Sequence, residues 1–112
     1  MSKCDFCLFT EFPPVETCVG TDANFSFTVT EDCKESEVVI KNEYGCVVMT
    51  VSGIVCARTD PVYKDRVTFT GNTKQKMISF TLRTVTPADA GTYSAEILDA
   101  KIIIGCQKLI VT

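Results

Sequence analysis

The sequence predicts an all-β protein, an antiparallel sandwich or barrel of eight or nine short strands. Apolar residues alternate with polar ones through most of the chain, whereas the spacing of amphipathic helices is scarce. Turn-forming residues interrupt this alternation roughly every 8–12 residues, as is typical of such folds. The 112 residues suffice for one domain with a core. We therefore predict a single domain over residues 1–112, one module of a larger ectodomain.

The individual strands follow from the alternation. In the clearest of them, Phe25, Phe27 and Val29 alternate with serine and threonine, which indicates a half-buried strand. An edge strand precedes it, interrupted at Pro13 and Pro14 because proline cannot join a central ladder. The other predicted strands are 38–40, 46–51, 54–57, 67–69, 77–82, 93–97, 102–104 and 108–111. Turns are predicted at 42–45, 52–53, 60–61 and 71–72.

Composition excludes several classes of function. The net charge is −3 and the basic residues are scattered, so nothing indicates binding to nucleic acid. No window approaches the roughly 20 apolar residues of a membrane-spanning helix, and no signal peptide is evident. The chain has no histidine, the commonest general base and metal ligand. We expect a module that is not an enzyme, has no cofactor, and meets a membrane only through a segment absent from this chain.

Seven cysteines in so short a chain indicate disulfides and an extracellular location. They are Cys4, Cys7, Cys18, Cys33, Cys46, Cys56 and Cys106. Two alternatives remain open, a metal site that uses the Cys-x-x-Cys spacing at the N-terminus and reduced buried thiols. The pairing cannot be read from the sequence, and an odd count also permits a free thiol or a bridge between chains. Cys46 and Cys56 lie at opposite ends of one strand, which argues against a bond between them.

A second indication of location is an N-glycosylation acceptor sequence. It comprises Asn24, Phe25 and Ser26. The strand assignment places Asn24 on the outward face, where an oligosaccharide has room. We predict that Asn24 is glycosylated.

A resemblance to a known family rests on residues 66–93. This segment resembles the D–E–F region of V-set immunoglobulin domains, and Asp89-Ala90-Gly91-Thr92-Tyr93 is similar to that family's tyrosine corner. The resemblance implies an immunoglobulin-like Greek-key sandwich. It also implies that the hydroxyl of Tyr93 bonds back to the E–F turn and that Arg66 pairs with Asp89.

The sequence departs from the family pattern in its core. Ala95 stands where the second core cysteine is expected, no cysteine lies near Val29, and the chain has no tryptophan. We expect Val29, Ile40 and Ala95 to pack without a disulfide and the displaced cysteines to compensate. Because strand A′ runs beside strand G in V-set domains, Cys106 is expected to reach Cys18 or the pair Cys4 and Cys7.

V-set-like domains that lack the core cysteines and carry others resemble the N-terminal ectodomain modules of cnidarian allorecognition receptors. The resemblance implies homophilic recognition of another copy on an opposing cell, by the ectodomain of a type I membrane protein or by a secreted protein. Two alternatives remain: a secreted or surface innate-immune domain that binds a different protein or a glycan, and a structural spacer.

The expected contact surface is the sheet that V-set partners usually share. Alternation places Val39, Leu98 and Ile103 outside as an apolar strip beside Lys41 and Glu96. The two charges are complementary about a two-fold axis. Two other interpretations stay open: a second domain or a glycan covers the strip, or the register is wrong by one residue, which would invert every face.

Overall fold

Nine β-strands form two packed sheets in the part of the chain described by the computed structural model, residues 11–28, 37–98 and 102–112. The strands are β1 (Glu11–Thr17), β2 (Ala23–Thr28), β3 (Val38–Lys41), β4 (Val47–Ser52), β5 (Val55–Thr59), β6 (Val67–Phe69), β7 (Met77–Leu82), β8 (Gly91–Ile97) and β9 (Ile102–Val111). One sheet has the order β1-β9-β8-β3-β4-β5, and the other has the order β2-β7-β6.

The order of the strands is that of an immunoglobulin-like sandwich. Strands β4 and β5 extend the sheet formed by β3, β8 and β9. Strand β1 runs parallel to β9, and the other pairs are antiparallel. The predicted all-β immunoglobulin-like fold is confirmed, including the position of the first strand beside the last.

Aromatic packing fills the space between the sheets. The alternation in β2 directs Phe25 and Phe27 into the core. Phe25 stacks on Phe80 with ring centroids 4.5 Å apart and contacts Tyr93 at 4.9 Å. Across the sheet, Ile40 and Ala95 are register partners and both are fully buried. This close packing occupies the core without a disulfide between the described residues, because large rings bury much apolar area per residue.

Strands β1 and β9, which pair along one edge of the larger sheet, test two of the sequence predictions. The register of β1 against β9 shifts between Phe12 and Val15, so the predicted interruption at the prolines is confirmed. The C-terminal residues, predicted as two strands, form the single strand β9. Gly105 lies inside this strand under Phe12, where a Cβ atom would stand 2.7 Å from the ring, so the close approach of the ring favours glycine there.

The tyrosine corner is present as the resemblance implied. The Tyr93 hydroxyl donates to the backbone oxygen of Asp89 at 2.6 Å, and burial raises the pKa of Tyr93. Arg66 donates to both carboxylate oxygens of Asp89, at 3.2 and 2.6 Å. Burial alone would raise the pKa of Asp89, but hydrogen bonds from Arg66 and Thr86 outweigh it and hold that pKa below its usual value. The corner therefore ties β6 and β8 to the turn between β7 and β8.

The expected network of disulfides is not found among the described cysteines. Cys18, Cys46 and Cys56 are exposed free thiols, and Cys106 is buried. Of the two partners expected for Cys106, Cys18 lies beyond the far end of β1, because Cys106 pairs with Glu11 while Thr17 pairs with Val111, and the pair Cys4 and Cys7 lies outside the described residues.

Several sequence-based expectations fall on residues outside the described ranges. They are the disulfide and metal roles of Cys4, Cys7 and Cys33 and the core position of Val29.

Candidate functional site: the groove on the six-stranded sheet

The outer face of the larger sheet carries a continuous row of side chains across five strands. Hydrogen-bond register places Ile103 opposite Glu96, Glu96 opposite Val39, Val39 opposite Thr50, and Thr50 opposite Arg58. Side chains of register partners point to the same face of a sheet. Four of the strands thus present one residue each beside the exposed guanidinium of Arg58 on the edge strand β5.

A groove of about 600 Å³ lies over the part of this row on β3, β4 and β5. Its floor contains Val39 and Thr50, which are only 4% and 8% exposed. Leu98 and Glu37 line one part of the groove, and the backbone nitrogen of Leu98 donates to the oxygen of Glu37 at 3.0 Å. Arg58 lines the groove from β5. The result is an apolar centre flanked by acidic residues, Glu37 and Asp60, and basic residues, Lys41 and Arg58.

Charges on this face are distributed in both signs. Lys41 donates to a carboxylate oxygen of Glu96 at 3.5 Å, as a diagonal pair across β3 and β8. Both groups retain some exposure, so the pair contributes little to stability in water, about 0–1 kcal/mol. Glu37 and Arg58 are exposed, and neither has an ion-pair partner among the described residues. These two charges are therefore available to a partner.

The structure brings together most of the residues predicted for partner binding. Val39, Lys41 and Leu98 line the groove, and Glu96 adjoins it through Lys41. Leu98 is 43% exposed, as expected for a contact residue. Val39 faces outward as predicted but is nearly inaccessible, because it lies in the floor between its neighbours. Ile103 is half-buried and separated from Val39 by Glu96, so the apolar strip is interrupted.

Sequence reasoning missed Arg58. The predicted strand ended at residue 57, and a bulge in β5 places Cys56 opposite Val51 but Arg58 opposite Thr50, so alternation does not reveal the direction of Arg58. The extra residue is Ala57. The alternation of polar and apolar residues in the sequence does not show where a bulge inserts an extra residue. Glu37 was missed for a different reason, since it precedes β3 and belongs to no strand.

Comparison with solved structures supports the fold. The chain is similar to the second immunoglobulin domain of the mouse polymeric immunoglobulin receptor, with a TM-score of 0.71 over 92% of this chain and 95% of that domain. Sequence identity is 14%, so the likeness concerns architecture alone. No model of a protein family matches the sequence, and no curated protein does.

The immunoglobulin fold defines the class of this protein. Such domains are typical of extracellular recognition and adhesion and are typically not enzymes, although fold alone does not determine function. Among the described residues, no cluster of three or more metal-ligating side chains occurs. The same ranges contain no helix with the length and apolar character needed to cross a bilayer.

Proposed function

We propose that this domain is an extracellular recognition module that binds a second copy of itself through the groove on the six-stranded sheet. The observation that carries the proposal is the arrangement of Glu37 and Arg58 around an apolar centre. A two-fold axis in the plane of the interface brings Arg58 of one copy opposite Glu37 of the other, and the second contact follows by symmetry. One surface then supplies both halves of each charge pair.

Apolar contacts would provide the remaining attraction. Leu98 stands exposed beside a groove in which Val39 is already desolvated. When two such faces meet, each leucine can enter the groove of the opposite copy, and burial of its exposed area is favourable. Complementary charges around it favour the correct orientation over other encounters.

The sequence resemblance to allorecognition modules points to the same activity, with the second copy on an opposing cell. The fold is typical of extracellular proteins, and the ectodomain of a type I membrane protein would place the groove in the space between cells. Many copies on each surface would make a weak pairwise contact effective, because multivalent display raises avidity by orders of magnitude.

The proposal is tested by coating beads with the domain and measuring their aggregation. Exposed thiols at Cys18, Cys46 and Cys56 must be blocked first, because disulfides between beads would imitate recognition. Wild-type beads should cluster, and Leu98→Asp beads should not, because the apolar contact of the leucine is lost and the carboxylate must be desolvated to enter the opposite groove. Thr68→Asp, a surface change on the other sheet, is the matched control and should cluster normally.

Two results would overturn self-recognition. Failure of the wild type to cluster at any coating density would leave a different partner or a spacer role. Equal clustering of the wild type and the Leu98→Asp variant would place the contact elsewhere on the molecule.

A further inference from the structure

The outer face of the three-stranded sheet is lined by hydroxyl groups. These side chains lie on all three strands or directly after them: Ser26, Thr28, Thr68, Thr70, Ser79 and Thr81. Thr70 donates to the Ser79 hydroxyl at 3.0 Å, and Arg83 donates to Thr68. Met77, at the start of β7, is the large exposed apolar residue described on these strands. The face is polar but carries little charge.

Asn24 occupies this face. It is exposed on β2, an edge strand of the sheet, and its register partner is Thr81. The Thr81 hydroxyl donates to Asn24 Oδ1 at 2.7 Å. That bond holds the amide by its oxygen and leaves Nδ2 as the atom not engaged by Thr81. Ser26, two residues later, is exposed on the same face because Phe25 between them points into the core.

We propose that Asn24 carries an N-linked oligosaccharide that covers the outer face of β2, β7 and β6. Asn24-Phe25-Ser26 is the single Asn-x-Ser/Thr sequence in the chain. The sugars attached there would lie over a surface of hydroxyls, which can exchange hydrogen bonds with sugar hydroxyls. No apolar side chain in the centre of this face would be left to attract another protein.

The modification is a group transfer. The Nδ2 of Asn24 attacks C1 of the first N-acetylglucosamine of an oligosaccharide linked to a lipid pyrophosphate. A C1–N bond forms, the bond from C1 to the pyrophosphate oxygen breaks, and the lipid pyrophosphate leaves with the electron pair. Nδ2 loses one proton to a base of the transferase, and no group is oxidised or reduced. The Ser26 hydroxyl is the part of the acceptor sequence that the transferase requires.

The consequence is a division between the two faces. An oligosaccharide on the smaller sheet hinders contacts there and leaves the groove of the larger sheet open. The modification does not depend on self-recognition, since it rests on the acceptor sequence and the exposure of Asn24.

The test directs the full chain through the secretory pathway of a eukaryotic cell and measures the mass of the secreted protein. We expect the mass of the polypeptide plus one oligosaccharide core, and loss of that mass on treatment with peptide-N-glycosidase, which converts Asn24 to aspartate. Asn24→Gln and Ser26→Ala should each remove the added mass. Ser79→Ala, on the same face but outside the acceptor sequence, should keep it.

The proposal fails if the secreted wild type has the mass of the bare polypeptide, or if the oligosaccharide persists in both acceptor variants. Should Asn24→Gln not be secreted, Ser26→Ala decides, because it keeps Asn24 and its bond from Thr81. Bead clustering before and after enzymatic removal of the sugar is a separate readout. If the secreted protein carries no sugar but still clusters, the glycosylation proposal fails and self-recognition stands. If the protein is glycosylated but clusters neither before nor after removal of the sugar, self-recognition fails and glycosylation stands.

Discussion

The two outer faces of the sandwich arise from the same alternation of residues but differ in shape and chemistry. On the three-stranded sheet, outward positions hold small hydroxyl side chains, so the face is level and polar. On the six-stranded sheet, Val39 and Thr50 are buried between longer side chains and form the floor of a groove. A side chain that points outward from a sheet is therefore not always exposed, since longer side chains on neighbouring strands can shield it from solvent.

Both faces depend on one core, and the largest expected effect is a change that removes part of it. Phe25→Ala deletes a ring that stacks on Phe80 and contacts Tyr93, which belong to different sheets. We expect the free energy of unfolding to fall by about 3–5 kcal/mol. Urea unfolding measures it. A loss below about 1 kcal/mol would show that the two sheets are held together by other contacts.

A smaller loss is expected at the tyrosine corner. Asp89→Asn replaces a carboxylate that accepts two hydrogen bonds from Arg66, and the cost should be about 2 kcal/mol at neutral pH. Because the pKa of Asp89 is lowered in the folded state, its stabilising contribution is complete above the unfolded value of about 4 and is lost as the pH falls through the folded value.

The pH dependence separates this electrostatic contribution from simple packing. The stability difference between the wild type and Asp89→Asn should be constant above about pH 5 and should shrink in more acidic solution. Urea unfolding between neutral and acidic pH provides the measurement. A difference that stays the same throughout would mean that ionisation of Asp89 does not contribute.

A stabilising change is expected at Thr84, in the turn after β7. Its φ angle is +52°, which is unfavourable for a β-branched residue. The conformation is fixed at both ends, since its nitrogen donates to Asp22 and its oxygen accepts from Arg66. Thr84→Gly should relieve the strain and raise stability by about 1 kcal/mol. Thr84→Ala, which keeps a Cβ atom, should give less, and equal effects of the two variants would argue against backbone strain.

The smallest effect is expected on the hydroxyl face. Thr68→Asp adds a charge at an exposed position beside Arg83, and the stability should change by less than about 0.5 kcal/mol. Bead clustering should also be unchanged. Loss of clustering with retained stability would give the three-stranded sheet a role in recognition.

Periodicity and turn residues predicted most of the fold. Strands β6 and β7 lie at their predicted positions, and the pairing of Arg66 with Asp89 is present. These features depend on the local alternation of residues or on a short motif, so they can be predicted from the sequence alone. The continuity of β9 was not predicted, because a glycine inside a strand reads as an interruption unless the ring of Phe12 above it is known.

The candidate site was predicted only in part. Leu98 and Lys41 follow from alternation, and both line the groove. Arg58 does not, because the bulge in β5 reverses the alternation there. The burial of Val39 also depends on side chains from neighbouring strands, which the chain order does not reveal. Cysteine count likewise suggested a disulfide framework, whereas the four described cysteines form no disulfide with one another.

The most direct test of self-recognition through the groove exchanges the charges of Glu37 and Arg58. Arg58→Glu beads and Glu37→Arg beads, with thiols blocked, should each fail to cluster alone, because every two-fold contact would then join like charges. When the two kinds of beads are mixed, both contacts join opposite charges again, and mixed clusters should form. Clustering of either variant alone as strong as that of the wild type, or no clusters in the mixture, would contradict self-recognition through the groove.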